Sequence, residues 1–236
     1  MRVVFVHGAC VRDGAWWWRR TAELLSTQGV SSTCPGLPSC GEAGVPGGTG
    51  GPGLAEDVVS VRAELEMGSD PTIVVAHSYG GIVAAQAADG VPAVRHLVLV
   101  SSYLPEVGQS LGDFGDADPA PFLDVDPASG TFGVRPEMLV DTFLHDCDRA
   151  TRSAAADHLA RQSLRVITDP VRAAAWQQVP TTYLVCADDR GTPAARQREF
   201  ARRAGRVVEF RSGHHPFLSQ PDAMRDLLLT LPPEGV

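Results

Sequence analysis

Short runs of β-branched and other apolar residues alternate along this chain with segments that carry the apolar spacing of helices. The predicted strands cover residues 2–6, 30–34, 72–76, 96–101, 181–187 and 206–211. The predicted helices cover residues 18–28, 54–66, 80–88, 193–204 and 221–230. Several runs are apolar on both faces, as strands covered by helices on both sides must be. The alternation predicts an α/β fold with a mostly parallel, doubly wound sheet of about six strands.

One long segment, residues 102–180, interrupts this alternation. It is rich in Pro, Gly and Asp up to about residue 133, and then follows helical patterns over 135–145 and 150–163. Its apolar residues require burial, which argues against a disordered loop; they include Phe114, Phe122, Leu123, Phe132 and Phe143. We therefore predict a helical cap at 103–178, inserted between a first core part at 1–102 and a second at 179–236.

The composition argues against several classes of function. The net charge is −8, and no basic patch is interleaved with aromatic residues, so we expect no nucleic-acid partner. No apolar run approaches the length of a membrane span, and residues 1–9 are too short for a signal peptide. We therefore expect a cytoplasmic protein that does not bind membranes. The sequence does not indicate an oligomeric state.

Two weaker patterns concern cofactors. The five cysteines are scattered and form no C-x-x-C pair, so we expect free thiols and no metal, although a bridge between Cys34 and Cys40 remains an alternative. Gly48, Gly50 and Gly53 match G-x-G-x-x-G, but they lie inside a long glycine-rich loop rather than directly after a strand. The sequence therefore predicts no cofactor.

The segment AHSYGG at 76–81 places a serine between an apolar strand and a helix of small residues. This is the context of a nucleophile elbow, G-x-S-x-G, with Ala76 in place of the first glycine. The small residues leave room for a sharp turn that lifts the serine hydroxyl above the edge of the sheet. We therefore predict that Ser78 is a catalytic nucleophile.

A serine nucleophile needs a neighbouring base, which in this fold follows the acid in the chain. The segment RSGHHPF after the last predicted strand offers His214 and His215 as the base. The segment CADDRG after the preceding strand offers Asp188 and Asp189 as the acid that orients the imidazole. The residue types alone leave both pairs open.

An oxyanion hole is the remaining requirement of this chemistry. One donor should be the backbone N–H of Tyr79, directly after the nucleophile, and the other should come from the loop after the first strand. In that loop His7 and Gly8, followed by Ala9, predict a tight turn with an exposed N–H. Nucleophile, acid, base and oxyanion loop occur in the expected order, which predicts a serine hydrolase.

These motifs resemble the α/β-hydrolase superfamily, and in particular its small, lid-bearing branch of methylesterases, hydroxynitrile lyases and their bacterial relatives. The segments that carry the resemblance are VFVHGAC, AHSYGG, HLVLVSSYLP, YLVCADDRGTP and GHHPFLSQP, and the first loop resembles an actinobacterial form. The resemblance implies an α/β-hydrolase fold. It implies Asp189 as the acid, His214 as the base, and the backbones of Ala9 and Tyr79 as oxyanion donors.

Within this branch, the lyases have Thr after the histidine of the first loop and Lys after the catalytic histidine. Here those positions hold Gly8 and His215, which favours a carboxylesterase-type serine hydrolase that works through an acyl-enzyme. A hydroxynitrile-lyase-like C–C lyase and a non-hydrolytic ligand-binding protein of the same fold remain the alternatives.

The substrate pocket should lie between the cap and the carboxyl ends of the strands. Its predicted walls, each of which could instead pack in the core, are Cys10, Trp17, Tyr103, Leu104, Phe122, Phe143, Leu144, Trp176, His215 and Phe217. An apolar, aromatic wall predicts an ester or lactone of a small hydrophobic or aromatic molecule. A composition rich in Ala, Arg and Gly, without lysine, adds natural-product metabolism as a hypothesis.

Overall fold

A computed structural model describes residues 1–42, 44–116 and 118–231 of the chain. In chain order, the strands are β1 (Arg2–Val6), β2 (Ser31–Thr33), β3 (Thr72–His77), β4 (Val94–Val100), β5 (Leu123–Asp126), β6 (Thr131–Val134), β7 (Gln162–Ser163), β8 (Thr181–Cys186) and β9 (Arg206–Phe210). The α-helices are α1 (Gly14–Ser26), α2 (Leu54–Glu66), α3 (Gly80–Ala87), α4 (Pro136–Phe143), α5 (Arg149–Ala155), α6 (Arg165–Thr168), α7 (Ala194–Ala201), α8 (Pro216–Ser219) and α9 (Pro221–Leu229).

The main sheet has six strands in the order β2-β1-β3-β4-β8-β9, and every neighbouring pair is parallel. The predicted parallel sheet is therefore confirmed. Because all six strands point the same way, their carboxyl ends meet at one edge of the sheet. The loops after β1, β3, β8 and β9 carry the predicted oxyanion loop, nucleophile, acid and base, so the topology brings these segments together.

Helices cover both faces of this sheet. On one face, apolar residues of α2, α3 and α7 pack in one cluster with β-strand residues such as Val4 and Val74. On the other face, α1 and α9 pack with Phe5 and Val75. Since β3 is buried along its whole length, its side chains contribute to both clusters in alternation. None of the helices in the described ranges is long and apolar enough to cross a membrane.

The segment between β4 and β8 contains helices α4, α5 and α6 and also a small antiparallel sheet in the order β5-β6-β7. The sequence analysis did not predict this sheet. The helix expected over 150–163 ends at Ala155, continues as a 3-10 turn over Ala156–His158, and gives way to β7. The reason is tertiary, because Gln162 and Ser163 pair with β6 instead of continuing the helix. The proposed bounds of the cap remain 103–178.

The turn between β3 and α3 depends on glycine for a steric reason. A Cβ added to Gly80 would lie 2.5 Å from the Val6 carbonyl oxygen and 2.8 Å from that of His7. Both obstacles are backbone atoms of β1 and the loop after it, so neither can move aside cheaply. The first helical residue after the elbow is therefore packed directly against the neighbouring strand.

Gly80→Ala should therefore destabilise the fold by about 1–3 kcal/mol, because the added methyl group overpacks a rigid backbone contact. The matched control is Gly68→Ala, since a Cβ at Gly68 would meet no atom within 4 Å. Urea unfolding followed by circular dichroism measures both. Equal stabilities of the two variants would show that the elbow is not close-packed in this way.

Candidate active site

Ser78 lies in the turn between β3 and α3 with a φ of 50°, in the left-handed region that non-glycine residues rarely adopt. Neighbouring backbone holds it there. Its N–H donates to the Val100 carbonyl at 3.2 Å, and its own carbonyl accepts from the Ser102 hydroxyl at 2.6 Å. Strain of this kind persists only where surrounding contacts fix it, and it is concentrated at functional sites.

Asp189 and His214 form a buried pair on the loops after β8 and β9. His214 Nδ1 lies 2.7 Å from Asp189 Oδ2. The carboxylate also accepts from the Ser101 hydroxyl at 2.6 Å, from the Gln197 amide at 2.9 Å, and from the backbone N–H groups of 191 and 192. The neighbouring Asp188 is exposed. The structure therefore brings Asp189, and not Asp188, to the imidazole.

Burial raises the pKa of Asp189, but the charge of His214 and the hydrogen bonds from His214 and Ser101 act against it and are stronger together. The net effect holds the pKa of this carboxyl below its ordinary value. Asp189 is therefore ionised at neutral pH and can stabilise a positive charge on His214. This is the part that the acid plays in a Ser-His-Asp arrangement.

Ser78 and His214 line the same cavity. Among the side-chain hydrogen bonds of the described residues there is none between Ser78 Oγ and His214, whose Nδ1 is engaged by Asp189. Catalytic hydrogen bonds are often long in unliganded enzymes and tighten around a substrate. The arrangement therefore leaves the remaining ring nitrogen, Nε2, as the atom of His214 that can take a proton from Ser78.

Two further histidines flank this pair but are held in structural roles. The His77 ring nitrogen Nε2 donates to the His214 carbonyl at 3.0 Å, and His215 Nδ1 donates to the Phe143 carbonyl at 3.0 Å. Burial, reinforced by the charge of His214, lowers the pKa of His77 well below its ordinary value. The same two causes lower the pKa of His215 to about 3. Both imidazoles are therefore neutral at physiological pH, and neither is paired with the carboxylate.

The predicted oxyanion donors face the same cavity, which both Ala9 and Tyr79 line. Within the described residues, neither backbone N–H is engaged by a protein acceptor. Two free N–H groups beside Ser78 are what an oxyanion hole requires. Cys10, the next residue, is also in the cavity wall, but burial raises the pKa of its thiol to about 12, so it is not a competing nucleophile.

A carboxylate that the sequence analysis missed holds the loop after β1, which is the predicted oxyanion loop. Glu42 Oε2 lies 2.8 Å from His7 Nε2 and accepts from the Leu37 N–H, while Oε1 accepts from the Asp13 N–H at 2.6 Å. Burial raises the pKa of Glu42, but the His7 contact and these N–H groups lower it below its ordinary value. In the sequence, Glu42 stands alone before a glycine-rich stretch. Such a stretch is typical of an exposed loop, so nothing in it indicated that Glu42 would support the loop after β1.

The cavity has a volume of about 560 Å³ and lies between the sheet edge and the residues that follow β4. Its lining includes six of the predicted wall residues, which are Cys10, Trp17, Tyr103, Phe122, Phe143 and His215. Apolar residues that were not predicted as walls also line it, among them Phe114, Val125, Phe132, Leu164 and Ile167. The cavity size and its apolar lining fit a small organic ligand.

Four predicted wall residues lie outside the cavity lining, and they are buried in the core or packed against it. Leu104 and Trp176 pack with the α2 and α3 cluster, and the Trp176 indole N–H donates to the Pro105 carbonyl. Leu144 and Phe217 pack with the α1 and α9 cluster, where Phe217 stacks on Trp18 at 3.8 Å between ring centres. The prediction that these four residues line the pocket was wrong. Apolar residues that lie near the site in sequence can also pack in the core next to it, as these do.

The structure shows further groups around the site that the sequence analysis did not single out: Ser101, Ser102 and Gln197 around the acid and the nucleophile, and Asp57 beside Tyr79. All five cysteines are free thiols. In the ranges that the structure describes, no group of three or more His, Cys, Asp or Glu residues could hold a metal ion.

Comparison with known proteins agrees with the fold. A family model described as the alpha/beta hydrolase family matches residues 3–227. The chain belongs to this family.

Among relatives of this hydrolase is the "Alpha/beta hydrolase nvfD" of Aspergillus novofumigatus, 29% identical over 190 residues that cover 72% of this chain and 75% of the relative. "Methylesterase 9" of Arabidopsis thaliana is 27% identical over 97% of this chain and 96% of its own. The crystal structure of a pyrethroid hydrolase from Sphingobium faniae JZ-2 superposes with a TM-score of 0.83 at 21% identity, covering 97% of this chain and 96% of that one. The predicted fold and the resemblance to the methylesterase branch are confirmed, and a carboxylesterase-type hydrolase agrees with the relatives' names.

The neutral, buried His215 makes a prediction about stability. An unfolded histidine binds a proton below about pH 6.5, whereas His215 in the folded state does so only near pH 3. Stability contributed by this residue is therefore present above pH 6.5 and is lost as the pH falls from 6.5 toward 3. His215→Asn keeps an N–H donor for Phe143 but cannot titrate, so the free energy of unfolding should depend less on pH across this window.

In His215→Asn, the slope of the unfolding free energy against pH should fall by up to about 1.4 kcal/mol per pH unit, which corresponds to one proton. Denaturant unfolding at a series of pH values measures this slope. Parallel curves for wild type and His215→Asn would show that His215 is not held neutral by the fold.

Proposed function

We propose that this hydrolase cleaves a carboxylic ester or lactone of a small hydrophobic or aromatic molecule through an acyl-enzyme at Ser78. One observation carries the proposal: Ser78, held in a strained backbone conformation, lines the same apolar cavity as His214. His214 in turn contacts Asp189, which is buried and ionised. Two unengaged backbone N–H groups in the same cavity wall, at Ala9 and Tyr79, complete the set needed for acyl transfer.

In the first step, Ser78 Oγ attacks the carbonyl carbon of the ester, and His214 Nε2 accepts the hydroxyl proton. The carbonyl oxygen becomes an oxyanion that accepts hydrogen bonds from the N–H groups of Ala9 and Tyr79. Asp189 stabilises the imidazolium that forms. When the tetrahedral species collapses, the bond to the leaving oxygen breaks and His214 returns its proton to the departing alcohol.

In the second step, water replaces the alcohol. His214 takes a proton from this water, whose oxygen attacks the acyl carbon, and the same two N–H groups hold the second oxyanion. Collapse breaks the bond to Ser78 Oγ and His214 returns the proton to the serine. The product is a carboxylic acid; from a lactone it is the ring-opened hydroxy acid.

The cavity supports the proposed substrate class. Its volume of about 560 Å³ lies within the usual range for small-molecule sites, and most of its lining is apolar. Tyr103, Phe114 and Phe200 form one aromatic group in the wall, with ring centres 5.1–5.7 Å apart. Phe122 and Phe143 form a second, edge to face at 4.8 Å. An aromatic or compact aliphatic acyl or alcohol group would be buried between them.

The residue after the base argues against the lyase alternative. A C–C lyase that releases cyanide needs a positive charge near the leaving group, and a lysine at this position would supply it. Here the position holds His215, which is buried, neutral at physiological pH and donates Nδ1–H to the Phe143 carbonyl. Ester hydrolysis needs no such cation, because His214 protonates the leaving alcohol.

The test uses p-nitrophenyl esters from acetate to octanoate with three variants: Ser78→Ala, His214→Gln and Asp189→Asn. We expect kcat/KM to fall by about 10⁴-fold or more for the first two and somewhat less for Asp189→Asn. The matched control is Asp188→Asn, which makes the same change at the adjacent, exposed carboxylate and should hydrolyse like wild type.

Turnover by Ser78→Ala near the wild-type rate would contradict the proposal. Equal losses from Asp188→Asn and Asp189→Asn would contradict the assignment of the acid. A folded wild-type protein without turnover on any ester would favour the ligand-binding alternative.

A further inference from the structure

Gln162, in strand β7, is fully buried and uses both ends of its side-chain amide. Its Oε1 accepts from the backbone N–H of Cys10 at 3.0 Å, and its Nε2 donates to the Ser39 hydroxyl at 2.9 Å. Cys10 directly follows Ala9, the proposed first oxyanion donor. A residue of the segment inserted between β4 and β8 therefore holds the backbone of the proposed oxyanion loop.

The chain of hydrogen bonds continues to the second donor. The Ser39 hydroxyl donates to Asp57 Oδ2 at 2.5 Å, and the Ser39 N–H donates to Oδ1 at 2.8 Å. The Tyr79 hydroxyl donates to the same Oδ2 at 2.7 Å. Cys10, Gln162, Ser39, Asp57 and Tyr79 thus form one continuous buried chain, which we call the oxyanion tether.

The direction of each hydrogen bond in the oxyanion tether is fixed by the chemistry of its members. The Asp57 carboxylate accepts from both hydroxyls, so the Ser39 hydroxyl has used its proton and can only accept from the next residue. The Gln162 amide nitrogen must then face Ser39, which leaves Oε1 facing Cys10. A polar chain in which every member is satisfied specifies one arrangement, whereas an unpaired buried member is costly.

Cys10 has a conformation that needs such support. Its φ is 58°, in the left-handed region, and its carbonyl accepts from the Ala160 N–H at 2.9 Å. The backbone of Cys10 is therefore held at both its N–H and its carbonyl by residues just before or within β7. Strain of this kind is retained when neighbouring contacts over-determine the position.

We propose that Gln162 is a positioning residue for the oxyanion hole, which fixes Ala9 through Cys10 and is linked through Ser39 and Asp57 to Tyr79. The proposal rests on the proposed ester hydrolysis at Ser78. Gln162 does not contact the reacting atoms; it sets the angle at which the two N–H groups meet the oxyanion. A stabilising contact that is realised in the transition state should appear in kcat and leave KM unchanged.

The experiment compares Gln162→Met, which keeps the approximate volume but removes both hydrogen bonds, with Ser163→Ala. Ser163 is the adjacent buried residue of β7, and its hydroxyl accepts from the Gly48 N–H, so this control also removes a buried hydrogen bond of the same strand. Hydrolysis of p-nitrophenyl butyrate gives kcat and KM per active site. Inhibition by an aryl trifluoromethyl ketone reports on the oxyanion, because Ser78 Oγ adds to its carbonyl and His214 takes the proton.

For Gln162→Met we expect kcat to fall about 10- to 100-fold, the loss that follows from a misplaced oxyanion donor. KM should stay within about twofold of wild type, and the inhibition constant of the ketone should rise by the same factor as kcat falls. Ser163→Ala should leave kcat and the inhibition constant within about twofold. If Gln162→Met does not fold, Ser39→Ala cuts the oxyanion tether at its centre and should show the same pattern.

A folded Gln162→Met variant with wild-type kcat overturns the proposal, as does an equal loss in Ser163→Ala, which would indicate general loosening of the strand. These outcomes differ from failure of the proposed function, because in that case the wild-type protein itself would hydrolyse no ester.

Discussion

The turn at Ser78 is the constraint on which the rest of the site depends. A serine with φ of 50° is stable only where its surroundings allow no alternative. Gly80 provides the close approach to β1, and the Ser102 hydroxyl holds the Ser78 carbonyl. On the far side, Tyr79 is anchored to Asp57. These contacts fix the turn, and Ser78 lines the cavity.

Electrostatics then distinguish one histidine among three neighbours. His77, His214 and His215 have ring centres within 5.0 Å of one another, so more than one positive charge among them would be costly. Asp189 contacts His214 alone, and burial lowers the pKa of the other two. The carboxylate is in turn stabilised by donors from the loops after β4 and β8 and from α7. In the proposed acyl transfer, the positive charge that develops therefore has one favourable location, on His214.

Local patterns predicted the parallel sheet, and they identified the segments that hold the strained turn at Ser78 and the contact between Asp189 and His214. Apolar runs buried on both faces indicate central parallel strands, and parallel strands place their following loops at one edge. Helix α1 shows where local patterns fail, because it begins at Gly14 rather than at residue 18 and so includes Trp16 and Trp17. Trp17 and Trp18 are buried on its inner face, against the sheet and the cavity.

The parts that could not be predicted depend on contacts between distant segments. The strands of the sheet β5-β6-β7 are only two to four residues long, too short for a clear alternating pattern, and the pairing of β7 with β6 ends a helix pattern. Glu42 contacts His7, Asp57 contacts Tyr79 and Gln162 contacts Cys10 at sequence separations of 35, 22 and 152 residues, and no motif links these pairs. Leu104 and the other wall residues that were wrongly predicted are of the apolar types that line pockets. The same types fill the core, so residue type alone could not separate the two locations.

The central claim is that Ser78 carries the acyl group, and trapping the intermediate tests it most directly. The protein is mixed with p-nitrophenyl acetate, quenched in acid during the first turnovers, and analysed by intact and peptide mass spectrometry. The account predicts one added acetyl group on the peptide that contains Ser78, with none in Ser78→Ala. Rapid hydrolysis without an acylated Ser78 peptide, or acylation at Cys10 or His214 instead, would contradict it.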